Sequence, residues 1–197
     1  MSEVDSFTKV KQRSTTSDTM EGQQSITLSA YKRSPDLSNS RCYKGMLHSR
    51  MAGSADNHGA FDFVISKIRR GTEPPPHVHT REDEFFYLLA GEMAFYVDGK
   101  AFSITAGECM FLPRRIPHAW LITSDDVNTI TVVTPAGFAD AIWKMSFPAE
   151  RMEVPKSADM ATYANSDLAE TIRIHEQHGV RPLSPDEIRA EMPGFPL

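Results

Sequence analysis

Between residues 60 and 135 the chain is cut into short apolar runs, each ending at turn-forming residues, and this leaves little room for anything but an antiparallel β-structure. Residues 60–68 alternate as a strand. Glu84–Leu89 and Glu92–Val97 follow, joined around Gly91. Asp98-Gly99 is a two-residue hairpin signal leading into Ala101–Ile104, because both positions tolerate the left-handed backbone that such a turn needs. Thr105-Ala106-Gly107-Glu108 marks another turn before Cys109–Leu112, and His118–Thr123 and Val127–Thr134 complete the set. Strands this short, evenly punctuated, close into a barrel.

One stretch within that pattern carries chemistry. Gly71-Thr-Glu-Pro-Pro-Pro-His77-Val-His79-Thr-Arg-Glu-Asp-Glu84 places two imidazoles two residues apart, so that on a strand both project from one face. Pro74-Pro75-Pro76 removes backbone donors and stiffens the approach to His77. Glu84 lies five residues beyond His79, which on an unbroken strand would send it to the other face. A turn over Thr80-Arg81-Glu82-Asp83 lets it swing back. Neutral imidazoles and a carboxylate are donors that a divalent transition metal prefers. His118 must reach such a centre from a distant strand.

These residues resemble the cupin family. Gly71, His77, His79, Glu84 and Gly91 fill every position of its first motif, and Gly107, Pro113 and His118 match its second at the right intervals. Arg115 stands where the second motif usually has glycine, and Ile122 where it has asparagine. The resemblance spans residues 71–122 by motif and implies an all-β cupin jelly-roll barrel with a few C-terminal helices. No second His-x-His array occurs, so a single repeat is expected. The Pro-Pro-Pro-His-x-His-x-Arg-Glu-Asp-Glu stretch is similar to quercetinase-like dioxygenases, which open flavonols with O2. That likeness implies His77, His79, Glu84 and His118 as ligands of one divalent ion (Fe, Mn, Ni, Co or Zn), with Glu84 also accepting a proton from a substrate hydroxyl. A metal-dependent dioxygenase is the expected activity. A redox-silent isomerase or cyclase with the same ligands is the alternative, and a non-enzymatic binding module ranks third.

Strand alternation sends Phe86 and Leu88 inward with Glu84, and Trp120 and Ile122 inward with His118. Phe86, Phe95, Met110, Trp120, Phe138 and Trp143 are the expected wall of a pocket for a small, flat, largely apolar substrate.

The rest of the chain is read more plainly. Residues 1–25 are polar and expected to be a mobile tail, with the barrel over 26–135 and a helical extension over 136–197. Ile26–Met51 is expected to supply a strand over the barrel mouth and part of a homodimer interface. Helices are expected over Gly137–Met145, over Asp167–His178 and from Ser184-Pro185-Asp186-Glu187, which has capping-box spacing. His175 and His178 lack an acidic or cysteine partner at ligand spacing and read as part of a packed or solvated helix face. A formal charge of −5 gives no electrostatic reason to expect nucleic acid as a partner. No apolar run approaches the roughly 20 residues of a membrane helix. With two cysteines and no basic-then-apolar leader pattern at the N-terminus, the expected location is the cytoplasm.

Overall fold

The computed structural model describes residues 28–156 and 167–196. The expected tail over residues 1–25 lies outside the described residues. Two antiparallel sheets face one another. The larger runs in the order β11 (Phe147–Pro148), β1 (Ser40–Tyr43), β2 (Met46–Ala52), β3 (Asp62–Arg69), β10 (Asp126–Thr134), β5 (Asp83–Ala90) and β8 (Cys109–Leu112). The smaller runs β12 (Val180–Pro182), β4 (His77–His79), β9 (His118–Ile122), β6 (Glu92–Val97) and β7 (Lys100–Thr105). This is the all-β jelly roll. Among the described residues no helix is long and apolar enough to cross a membrane.

The period-two pattern is realised cleanly in β5, where Glu84, Phe86 and Leu88 are buried while Phe85, Tyr87 and Leu89 are exposed. Phe95, Leu88, Met93 and Leu112, all but fully buried, anchor the core between the sheets, and each such side chain contributes about 1.5–3 kcal/mol through burial. Asp98 and Gly99 both take left-handed backbone in the β6–β7 turn, as the hairpin signal requires. At Gly91 the close approach is decisive. With φ +85, a Cβ there would lie 2.4 Å from the Asp126 carbonyl oxygen.

Two segments depart from the sequence-based expectation. The region before residue 52 supplies a hairpin, β1 and β2, that joins the larger sheet beside β3 rather than a single covering strand. The segment after residue 135 forms helices α1 (Phe138–Met145), α2 (Leu168–Gln177) and α3 (Pro185–Glu191), and it also donates β11 and β12 to the two sheets. These edge pairings are backbone hydrogen bonds between distant segments, which no local pattern announces. Helix α2 starts at an Asp167 cap, and α3 at the reciprocal Ser184–Glu187 box. Helix α1 has glycine at its cap. Its first N–H groups are satisfied instead by Asp62 of β3, whose Oδ2 accepts from Gly137 and Ala139 at 2.8 and 3.0 Å.

Candidate metal centre and cavity

Three histidines come from the smaller sheet and the carboxylate from the larger. His77 and His118 are direct cross-strand partners on β4 and β9, their rings 4.7 Å apart. His79 stacks against His118 at 5.4 Å. After His79 the chain leaves its sheet, so side-chain parity restarts and Glu84 faces the histidines from β5. The crossing is pinned from several sides. The Thr80 N–H and hydroxyl both donate to the Gly179 carbonyl, the Arg115 N–H donates to the His79 carbonyl, and Arg114 binds Asp83. Arg115 itself holds φ +66, the left-handed conformation that explains why glycine is usual at this motif position.

One donor atom from each of His77, His79, Glu84 and His118 lies within 4.8 Å of the others, and all four residues are buried. Glu84 Oε2 sits 4.0 Å from His79 Nε2 and 3.8 Å from His118 Nε2. Both of those nitrogens and that oxygen are buried with no hydrogen-bond partner. Buried polar atoms are rarely orphaned, and convergent orphans of this donor type fit a divalent cation. The tautomers agree. His77 Nδ1–H donates to the Pro75 carbonyl and His118 Nδ1–H to the Ile116 carbonyl, which turns each Nε2 lone pair toward the centre.

The electrostatics point the same way. Burial holds the His77 imidazole well below its ordinary pKa, with His118 and His79 adding to the effect. Burial likewise brings His118 down to about 4, so both rings are neutral and ready to ligate. Burial pushes the Glu84 carboxyl up, partly offset by His79, with Glu82 pushing it further up.

Glu82 is a residue the sequence did not single out. It read as part of a polar turn, yet it is fully buried behind His79, its Oε2 3.6 Å from His79 Nδ1. A carboxylate at the back of a ligating histidine strengthens that histidine's hold on a cation. The acidic run Glu82-Asp83-Glu84 contained the signal, but nothing local separated a buried carboxylate from a solvated one.

A cavity of about 260 Å³ opens beside the tetrad and touches His77 and Glu84. Of the six residues expected in a pocket wall, Phe86, Trp120 and Phe138 line it. Phe95, Met110 and Trp143 do not. Phe95 is wholly inside the core, Met110 packs against that core, and Trp143 lies under the Arg50 guanidinium at 4.2 Å. Other wall residues come from segments whose role was not legible: Tyr43 and Lys44 at the β1–β2 turn, and His175 on α2. His178, three residues on, turns away to the Gly137 carbonyl and Lys144, so the two helix histidines do not act together.

Residues 64–134 match the family model described as the cupin domain. The chain carries a cupin domain. Among curated proteins it is similar to the quercetin 2,3-dioxygenase of Bacillus subtilis (strain 168), 27% identical over 92 residues. That match covers 47% of this chain and 27% of the relative, so it spans about a quarter of the relative's length. Among solved structures the chain is similar to an RmlC-like cupin from Shewanella frigidimarina (22% identity, 50% of this chain and 86% of that one, TM-score 0.43). KdgF from Halomonas sp. is another (22% identity, 47% and 82%, TM-score 0.43).

Proposed function

We propose that this cupin protein is a metal-dependent dioxygenase acting on a small, flat, enolic or phenolic substrate. The observation that carries the reading is the buried convergence of His77, His79, Glu84 and His118 at the wall of an otherwise largely apolar cavity. The partial similarity to a quercetin dioxygenase supports oxygen as co-substrate. A divalent ion held by these four residues would supply positive charge to stabilise a substrate oxyanion and, if redox-active, a route for electrons to O2. Glu84 is the proton acceptor. Its Oε2 is unpartnered, and burial makes it more basic than an ordinary carboxylate, so it is suited to take a substrate hydroxyl proton. Phe86, Trp120 and Phe138 present ring faces and edges to a planar substrate and keep water from it. A homodimer is the expected working form, and a monomer mass by light scattering refutes that part.

The test couples elemental analysis with oxygen uptake on a flavonol and catechol panel. His79→Ala is expected to abolish metal retention, and normal metal content in that variant overturns the ligand assignment. Turnover that continues without oxygen refutes the dioxygenase and leaves a redox-silent isomerase or cyclase.

A further inference from the structure

Lys44 sits where a lysine is costly. It occupies the β1–β2 turn at φ +45, followed by Gly45 at φ +80, a two-residue left-handed turn in which asparagine, aspartate or glycine would be the unstrained choice. Its side chain is half-buried and lines the cavity, its Nζ 5.5 Å from the centre of the Tyr43 ring. Among the described residues no carboxylate pairs with it. The two carboxylates of the cavity wall are engaged elsewhere: Glu73 accepts from the Gly71 and Ile122 N–H groups, and Glu84 belongs to the tetrad. Burial accordingly lowers the Lys44 pKa with no anion to offset it.

The aromatic side chains give this cation a place relative to the tetrad. Tyr43 lies 6.4 Å from the His175 ring, His175 lies 6.4 Å from Phe138, and Phe138 meets His79 edge-on at 4.8 Å. The cavity wall thus runs from the ammonium group through aromatic rings to the histidines. His175 adds no charge of its own. Its Nδ1–H donates to the Thr171 carbonyl, and burial, with Lys44 contributing, lowers its pKa. A partly desolvated cation at the wall of an apolar cavity, with only a ring face beside it, gains from an anionic partner.

We propose that Lys44 is a substrate-recognition residue and that the molecule held in this cavity bears a carboxylate on its apolar ring body, bound at the β1–β2 end away from the tetrad. A single ammonium neutralises a monoanion. A phosphate dianion would leave excess negative charge in a carbon-lined space. The assignment rests on the reading that this cavity holds the substrate, but not on metal or oxygen.

Calorimetric titration of the full chain with 2-naphthoate, 2-naphthamide and 2-naphthyl phosphate tests it. The wild type is expected to bind the carboxylate about tenfold more tightly than the amide, the scale of one charge-assisted contact. Lys44→Met should lose that preference while its amide affinity stays unchanged, and Lys44→Arg should retain it. If the Met variant folds poorly, Lys44→Asn, better suited to the turn, replaces it. An undiminished preference in the lysine variants, no measurable naphthoate binding by the wild type, or tighter Lys44-dependent binding of the phosphate overturns the proposal. Metal content measured on the same samples separates the two readings. A wild type without metal sinks the proposed enzyme while the Lys44-dependent preference still stands, whereas a metal-loaded protein with no such preference sinks this inference alone.

Discussion

Replacing Glu82 by glutamine should weaken the metal centre without weakening the fold. The carboxylate is fully buried, 3.6 Å from His79 Nδ1, and its oxygens have no hydrogen-bond partner. Two full unit charges at that separation interact by about 5 kcal/mol at an effective dielectric near 20. Only part of a cation's charge passes to the imidazole of its ligand, so a quarter to a half of that energy is the expected share. The corresponding loss of metal affinity is about 10- to 100-fold, the usual effect of removing a carboxylate behind a ligating histidine. Through linkage, this removes about 1.4–2.8 kcal/mol of metal-dependent stabilisation, or roughly 3–10 °C of the metal-induced rise in Tm for a chain of this size. The metal-free protein should be unchanged or more stable, because a buried charge with only a long contact to Arg81 Nε, at 3.9 Å, has gone. Differential scanning calorimetry with and without metal reads both signs in one experiment. A metal-induced rise equal to wild type, or a metal-free Tm lowered by several degrees, refutes the reasoning.

Three further outcomes are expected. Glu84→Gln should still bind some metal through His77, His79 and His118 but lose most turnover, and an unaffected rate removes Glu84 from the proton-accepting role. Gly91→Ala should destabilise by about 2 kcal/mol or more, because it sets a Cβ 2.4 Å from the Asp126 carbonyl at φ +85; urea unfolding within 0.5 kcal/mol of wild type would contradict this. For pH, burial depresses His48 from 6.5 to about 4. The unfolded chain therefore takes up this proton first, and the stability tied to it is complete above about 6.5 and lost as pH falls through about 4. His48→Gln should flatten that part of the acid slope in chemical denaturation, leaving the shares due to His77, His118 and His175, and an unaltered slope refutes the assignment.

Much of the centre was legible because it is encoded locally. The spacing of His77 and His79 puts both on one strand face, and the turn before Glu84 removes the parity conflict. The Asp98-Gly99 hairpin and the Ser184 capping box announce their elements within four residues. Pocket lining was harder to read. Inward-facing Phe95 and cavity-facing Phe86 share one strand pattern, and their rings lie only 5.2 Å apart. Alternation says which face is interior but not which interior positions border empty space.

From the sequence alone came the antiparallel strands, the four donors and the jelly-roll class, because each follows from spacing along a short segment or from a motif built of such spacings. The tertiary structure decided the rest. It buried Glu82 behind His79, set α1 on Asp62, closed the sheet edges with β11 and β12, and brought Lys44 and His175 to one cavity from segments about 130 residues apart. Burial and long-range approach are properties of the packed whole, and a half-buried ammonium and a solvated one are written with the same letter.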